Sequence, residues 1–253
     1  MKFDIKTVAL AKIRCDDYIY FNSREENRMK ETLPLLHNIG LQYALKNVIA
    51  PSIRIHSFVP TYLEDFQKAK SPIYVYPALP IRDDAPEKSE GHQRVVKQSA
   101  ATTIFKIGWQ DDDYRTFNKP TSKNLLQFSD IKVIDPETTF ATFVTSSLPF
   151  GTLISGIPQV IRLGKLASKA TVTLIEVPFS LKNSSGYCDW LLNPVDLPRG
   201  LKIGQDYIAS ITRMNPNDLI YSVRFKTSIQ MINLSDQKLM LPLSYHFQGV
   251  AAT

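Results

Sequence analysis

Residues 160–170, with the sequence VIRLGKLASKA, place three cations around one glycine in a region that has no carboxylate to neutralise them. No Asp or Glu occurs between positions 138 and 175. Arginine binds a phosphate through two parallel N–H groups, lysine binds it as a point charge, and a glycine lets the backbone approach closely. The pattern is equally consistent with a loop that binds a polyanion and with an ordinary hairpin whose lysines are solvated. The residues concerned are Arg162, Gly164, Lys165 and Lys169.

A second cationic segment, residues 94–106, is rich in β-branched residues and contains no acid. Phe105 and Trp109 lie on either side of Lys106, and such aromatic side chains either stack on unpaired bases or close a hairpin. The sequence favours neither role. The cations of this segment are Arg94, Lys97 and Lys106.

His37 and Asn38 stand together in the segment that gives the strongest helical pattern of the chain. A helix histidine whose ring is satisfied by its neighbours is favoured over a catalytic histidine, and Tyr43 on the same helix is expected to pack.

Known catalytic and cofactor-binding motifs are absent from the sequence. The four histidines have no ligand spacing, and no GxSxG, P-loop or GxGxxG pattern occurs. The consecutive acids at 111–113 are expected to form a solvated loop rather than a metal cluster. We therefore expect no metal, no cofactor and no reaction encoded in the chain.

Composition favours a soluble protein with a polyanionic partner. The chain has 253 residues, 43 % of them hydrophobic, and a net charge of +6. Cys15 and Cys188 form no motif and are expected to be free thiols in a reducing compartment. The N-terminal segment lacks an apolar signal core, and the uncharged run 138–161 is broken by prolines and glycines. We expect a cytoplasmic location and no membrane contact.

The hydrophobic pattern predicts an α+β fold with many strands and one or two helices. Residues 33–47 predict a helix, with Thr32 as N-cap and Pro34 in the first turn. Residues 206–212 and 219–225 predict a hairpin around the turn RMNPND, and 229–247 predict another strand pair. Loops are predicted at 23–31 and 111–130, and strands with a loop across 138–161. Further strands are predicted at 5–14, 18–21, 72–79, 94–106, 132–134, 138–145, 160–163 and 171–177.

Three segments together resemble a known family. They are ETLPLLHNIGLQYAL at 31–45, PIYVYPALPI at 72–81 and IRLGKLASKATV at 161–172. Their order is similar to that in the CRISPR-associated RAMP protein that caps the 5′ end of the guide RNA (crRNA) in type I-D Cascade complexes. The resemblance spans about residues 5–180, and IRLGKxxSKA is its most specific motif.

The resemblance implies a single RAMP domain over residues 1–253, with a ferredoxin-like, RRM-related core, an antiparallel sheet and an inserted β thumb at about 82–130. It implies a non-catalytic subunit that binds the crRNA 5′ handle. Its implied neighbours are the large subunit, the first backbone subunit and target DNA near the protospacer-adjacent motif (PAM). Matched by position, the handle contacts would be Arg162, Gly164, Lys165, Ser168 and Lys169. His37 and Asn38 match the helix pattern, as RNA contacts or as supports of the fold, and the basic arm adds Arg94, Lys97, Lys106 and Trp109.

Two alternatives remain. The first is a metal-independent RAMP endoribonuclease that processes CRISPR repeat RNA, for which His37, Tyr43 and Lys165 would form the cleavage set. The absence of a glycine-rich cluster near residue 253 counts against this alternative. The second is a scaffold whose basic surface serves protein contacts alone.

Overall fold

A six-stranded antiparallel sheet forms the centre of the computed structural model, which describes residues 5–26, 29–45, 71–82, 95–109 and 127–244. The described helices are α1 (Asn38–Ala44) and α2 (Phe150–Gly156), with short 3-10 turns at Pro194–Asp196 and Ser235–Gln237. The described strands are β1 (Thr7–Cys15), β2 (Arg24–Glu26), β3 (Met29–Glu31), β4 (Ile73–Val75), β5 (Leu79–Ile81), β6 (Thr102–Trp109), β7 (Gln127–Ile134), β8 (Thr139–Ser146), β9 (Val160–Leu163), β10 (Ser168–Glu176), β11 (Ser180–Cys188), β12 (Tyr207–Thr212), β13 (Leu219–Leu234) and β14 (Leu239–Pro242).

The order of strands in the central sheet is β4-β8-β1-β10-β9, and β5 also pairs with β8. All eight residues of β8 are buried, which requires that both faces of this strand be covered. A strand buried on both faces carries a continuous uncharged run. The missing charge at residues 139–146 is therefore explained by burial, and not by a facing ligand.

Alternate residues of β1 point into two separate cores. Val8 and Leu10 pack with residues of the second sheet, whereas Ala9 and Ile13 pack with residues of the two helices. This alternation follows from the two-residue period of a strand. The central sheet thus lies between the helices and the second sheet.

Both cysteines are buried free thiols, one in each core. Burial raises the pKa of Cys15 and of Cys188 to about 12, so neither is a reactive thiolate at neutral pH.

The second sheet has the order β11-β13-β12, and β14 pairs with the far end of β13. The hairpin predicted from residues 206–212 and 219–225 is confirmed, as is the strand pair predicted within 229–247. The register between β12 and β13 shifts between Ile208 and Ser210, opposite a bulge of one extra residue in β13.

A third sheet, β2-β3-β7-β6, joins the N-terminal part of the chain to the 82–130 segment. Strand β3 runs parallel to β7, and β6 pairs antiparallel with β7 over eight residues. The connection at 110–126 lies outside the described residues, so the thumb stays a prediction. The strand predicted at 132–134 begins earlier, at Gln127, within the predicted loop.

The fold also differs from other predicted elements. The predicted strand at 18–21 contains only an isolated bridge between Ile19 and Ile134, the one at 72–79 is divided into β4 and β5, and the one at 94–106 begins only at Thr102. Helix α1 begins at Asn38 and not at residue 33, because Leu36 forms a bridge with Ala78 and holds the preceding backbone extended. Thr32 is not the N-cap; its hydroxyl donates to the carbonyl of Phe21. The predicted loop at 23–31 contains β2 and β3, and the uncharged run contains α2. Within the described residues, no helix has the length and apolarity needed to cross a membrane.

Candidate nucleic-acid interface

Strands β9 and β10 form a hairpin that brings its cations to the solvent side. Both strands alternate exposed and buried residues, and Arg162 lies opposite Lys169 in the register. The inward residues of β9, Ile161 and Leu163, pack with the helices. Because side chains alternate between faces, both cations are exposed. The predicted strand at 160–163 is confirmed residue for residue.

The turn of this hairpin is fixed against the segment that follows β1. Gly164 adopts a left-handed φ of +69°, and an added Cβ would lie 2.4 Å from the carbonyl oxygen of Tyr20. The Lys165 N–H donates to that same oxygen at 2.8 Å. The predicted glycine is therefore required for close approach to protein backbone, and the contact positions Lys165.

Ser168 and Lys169 also fasten the hairpin to the segment after β1. The Ser168 hydroxyl donates to the carbonyl of Tyr18, and Ser168 is buried. The Lys169 N–H donates to Asp17 at 3.0 Å, and its ammonium lies 3.3 Å from Asp16. The fold thus supplies two carboxylates to a stretch that has none in sequence, and Asp16 forms an ion pair with the Lys169 ammonium.

Arg162 and Lys165 keep their charge available. The Arg162 guanidinium donates to the carbonyl of Ala167 at 3.3 Å, and the Lys165 ammonium lies 6.0 Å from the centre of the Tyr20 ring. Neither cation forms an ion pair with a carboxylate among the described residues. An unpaired cation on a rigid hairpin is suited to hold a phosphate.

A cavity of about 450 Å³ lies beside this turn, and it brings together predicted residues that are far apart in sequence. Four segments form its wall: residues 21–23 after β1, the start of α1 with the residues before it, the β9–β10 turn and the β12–β13 turn. Lys165 contributes the positive charge of the lining, and the other residues are apolar or uncharged polar, with two amides, the Ser23 hydroxyl and the His37 ring. The lining residues are Phe21, Asn22, Ser23, Leu35, His37, Ile39, Gly40, Gly164, Lys165, Met214, Asn215 and Pro216.

Asn22 in this wall has an unusual hydrogen-bonding environment. Its side-chain oxygen is enclosed and has no hydrogen-bond partner among the described residues. A buried polar atom without a partner is costly, and such positions often mark a missing ligand or water. An amide donates and accepts at once, as the edge of a nucleobase does.

His37 lies in the same wall with both ring nitrogens occupied. Its Nδ1 accepts the Ile39 N–H at 3.2 Å, which makes His37 the N-cap of α1, and Nε2 lies 3.2 Å from the carbonyl oxygen of Asn217. This arrangement requires the neutral tautomer with the proton on Nε2. Burial lowers the pKa of His37 to about 4, although the Asn217 carbonyl and Asp196 act in the opposite direction. His37 is therefore neutral at pH 7.

Asn38 lies in the interior, at 0 % exposure, and links three elements. Its amide donates to the Asp196 carboxylate at 2.6 Å, and its oxygen accepts from Asn193 at 3.0 Å. The Tyr74 hydroxyl donates to the same carboxylate at 2.9 Å. Through these contacts Asn38 holds α1 to β4 and to the turn at residues 194–196. Its buried side chain is not accessible to a ligand.

The sequence comparison decides the family. A model of the family described as type I-D CRISPR-associated protein Cas5/Csc1 matches residues 6–249. The chain belongs to this family. The resemblance drawn from the segments at 31–45, 72–81 and 161–172 is thereby confirmed, and the Cas5/Csc1 chain is a component of a type I-D CRISPR effector complex, which contains RNA.

Other comparisons are more distant. No curated protein has a sequence that matches this Cas5/Csc1 chain. Among solved structures, a chain in the cryo-EM structure of type III-B Cmr-beta bound to cognate target RNA and AMPPnP is similar to it, with a TM-score of 0.48 and 11 % identity. The likeness covers 87 % of this chain and 86 % of that one.

The described cations of the predicted basic arm of the Cas5/Csc1 chain, Lys97 and Lys106, do not line the cavity. Lys97 forms an ion pair with Asp189 at 2.8 Å and lies 5.8 Å from the centre of the Trp190 ring. Lys106 is exposed on β6, opposite Asp130 in the register. The backbone of Trp109 ends β6, and Arg94 lies outside the described residues.

Sequence reasoning missed most of the cavity wall. Phe21, Asn22 and Asn215 carried no recognised motif, and the turn RMNPND was interpreted only as a hairpin connection. The available signal was the clustering of asparagines at Asn215 and Asn217, since amide side chains at a turn are suited to bonding both backbone and ligand.

Proposed function

We propose that this Cas5/Csc1 chain holds the 5′ handle of crRNA in the type I-D complex, with the handle backbone on Arg162 and Lys165. The observation that carries the proposal is that these two exposed, unpaired cations stand on one fixed hairpin whose turn, with Lys165, lines a cavity of about 450 Å³. Phosphate contacts supply most of the affinity of proteins for nucleic acids and position the chain.

The cavity is suited to one unstacked nucleotide of the handle. Its volume falls in the usual range of ligand pockets, about 300–1,000 Å³. Single-stranded RNA is recognised through bases splayed from the stack, held by aromatic side chains and by hydrogen bonds to their edges. Phe21 offers the aromatic surface, and Asn22 and Asn215 offer amides.

The proposed role is non-catalytic. Metal-independent RNA cleavage needs a group that accepts or donates a proton near neutral pH. His37 has both ring nitrogens engaged and a pKa of about 4, which makes it a poor general acid or base at pH 7. Incubation of the full chain with repeat RNA in EDTA should give no specific cleavage. Cleavage that disappears in His37→Asn, which keeps a capping oxygen, would favour the endoribonuclease instead.

The wider assignment rests on the resemblance to the type I-D family. It comprises the ferredoxin-like, RRM-related core, the thumb at about 82–130, the contacts with the large and backbone subunits, and the position near the PAM of target DNA. The antiparallel central sheet with α1 and α2 on one face supports the core assignment. The pairing of β6 with β7 supports an arm in the predicted segment.

The test compares three single substitutions in one hairpin. Arg162→Gln and Lys165→Gln each remove an unpaired charge, whereas Lys169→Gln removes the charge already engaged by Asp16. Binding of the full chain to a labelled handle RNA from the host repeat would be measured by fluorescence anisotropy across a salt titration. Each of the first two should reduce the slope of log K against log[salt] by about 0.7, and Lys169→Gln should change it little.

Thermal unfolding of each variant provides the folding control. If all three folded variants keep the wild-type slope and affinity, the hairpin is not where the handle phosphates bind. If the slopes of all three variants fall equally, the handle does not distinguish the unpaired cations Arg162 and Lys165 from Lys169, which is paired with Asp16, and the reasoning from ion pairing is wrong.

A further inference from the structure

The outer face of the second sheet presents aromatic, apolar and cationic side chains in one row. Tyr187 of β11 and Ile208 of β12 both lie opposite Arg224 of β13 in the register. Tyr187 and Ile208 are 51 % and 52 % exposed, and Arg224 is also exposed. The row spans about 10 Å, since neighbouring strands lie about 4.8 Å apart. None of these residues belongs to the hairpin or the cavity wall.

A bulge in β13 adds a second tyrosine to this face. Residues three apart in a regular strand point to opposite faces, yet Tyr221 and Arg224 are both exposed while Val223 is fully buried. Ser222 takes a left-handed φ of 52°, and the register with β12 shifts at the same place. The extra residue allows the sheet to keep its inner face apolar and to expose both side chains.

The charge of this face is of one sign. Strands β11, β12 and β13 contain Lys182, Arg224 and Lys226 and no Asp or Glu. Arg224, Tyr187 and Tyr221 form no side-chain hydrogen bond or ion pair among the described residues.

The carboxylates that border the face are engaged elsewhere. Asp206 accepts the Lys202 N–H and the Thr227 hydroxyl, and Asp218 accepts the Met214 N–H. Asp189 pairs with Lys97, on the connection that precedes β6. The row itself therefore carries Arg224 and no carboxylate, and of the three bordering carboxylates Asp189 is neutralised by a cation while Asp206 and Asp218 are held by uncharged donors.

We propose that the row Tyr187–Arg224–Ile208, together with Tyr221, is a second nucleic-acid surface that takes a single-stranded segment. Exposed aromatics on an antiparallel sheet stack two or three bases in RNA-binding modules, and stacking tolerates any sequence because every base has a π face. Arg224 between the two tyrosines is placed to hold a phosphate or to stack on a base. The absence of carboxylates favours a polyanion over a protein partner.

The test uses the full chain with labelled (dT)20 as probe, in the Arg162→Gln/Lys165→Gln background so that the proposed handle site does not contribute. Tyr187→Leu and Tyr221→Leu remove the rings but keep apolar bulk, and each should weaken binding about tenfold. The matched variants Tyr187→Phe and Tyr221→Phe keep the rings and should bind as the background does. Arg224→Gln should weaken binding and lower the salt slope.

Three results would overturn the proposal. One is equal affinity of the Leu and Phe variants when thermal unfolding shows that both are folded. Another is complete loss of (dT)20 binding in the Arg162→Gln/Lys165→Gln background itself. The third is unchanged (dT)20 binding by Leu variants that no longer enter the assembled complex, which would assign the surface to a protein subunit. Handle binding is measured separately, so failure here leaves the proposed function standing.

Discussion

Replacing Gly164 by alanine should be among the most damaging single-methyl changes in this protein. The backbone there has a φ of +69°, and the new Cβ would lie 2.4 Å from the carbonyl oxygen and 3.1 Å from the carbonyl carbon of Tyr20. Both atoms are backbone and cannot rotate away. The β9–β10 turn must therefore move off the segment after β1.

The cost has three parts. The left-handed conformation costs an alanine about 1–2 kcal/mol, and the 2.8 Å hydrogen bond from Lys165 to Tyr20 contributes about 1 kcal/mol. Forced displacement of packed atoms adds about 1–3 kcal/mol. We expect the free energy of unfolding to fall by about 3–6 kcal/mol.

Gly200→Ala is the matched control. Gly200 also has a positive φ, +89°, but nothing lies within 4 Å of its added Cβ. Gly200→Ala should therefore lower the free energy of unfolding only by the cost of the left-handed conformation, about 1–2 kcal/mol. The difference between the two variants isolates the contact with Tyr20.

Urea denaturation of the full chain, followed by tryptophan fluorescence, measures both losses. The denaturant dependence should stay constant while the midpoint shifts. A loss that is equal in the two variants to within about 0.5 kcal/mol would refute the reasoning, because the contact would then have no energetic weight. A further expectation is weaker handle binding by Gly164→Ala, since Lys165 moves with the turn.

Three other substitutions test the interior. Between pH 6.5 and about 4, His37 takes up a proton in the unfolded chain but not in the folded one. The free energy of unfolding should therefore fall by roughly 3 kcal/mol as the pH drops through this window, and the contribution of His37 should be constant outside it. The variant His37→Asn should lack this fall. Asn38→Ala leaves the buried Asp196 carboxylate short of a donor and should cost about 3 kcal/mol in urea denaturation. Glu31→Gln removes the charge bound by Lys132 at 2.9 Å and should cost about 2 kcal/mol.

Each of these has a contradicting outcome. An identical pH profile in wild type and His37→Asn would mean that other groups account for the acid sensitivity. A neutral Asn38→Ala would mean that water replaces the lost donor. For Glu31, burial raises the carboxyl pKa, and hydrogen bonds from Lys132 and Arg24 outweigh this and lower it. Glu31→Gln as stable at pH 7 as wild type would therefore mean that the ion pair is energetically neutral.

Local patterns predicted the hairpin well and the helix start poorly. Residues 160–163 alternate clearly between apolar and polar types, and such alternation is decided within the strand itself. The start of α1 depends instead on the bridge between Leu36 and Ala78, which lie 42 positions apart and share no local signal. Pro34 fits a first helical turn and equally fits the extended entry that the structure has.

The candidate site could be predicted only in pieces. His37 and Lys165 were both singled out, but nothing in either segment indicated that they line one cavity. The absence of acids between 138 and 175 has a different meaning in different parts of the run, and the sequence does not separate them. In β8 the absence follows from burial on both faces, whereas around Lys169 the fold brings in two acids, Asp16 and Asp17, from another part of the chain.

The position of β1 within the central sheet has a consequence for how the chain folds during synthesis. Its two neighbours, β8 and β10, lie more than 120 residues later in the chain and therefore leave the ribosome well after it. At about 5–20 residues per second, synthesis of about 120 residues takes roughly 6 to 24 seconds, during which both edges of β1 lack their partners. Folding of the central sheet is then dominated by non-local pairing, which is slow and exposes the nascent chain to aggregation. Expression yield should therefore depend on translation speed and chaperone supply more than the stability of the finished fold would suggest.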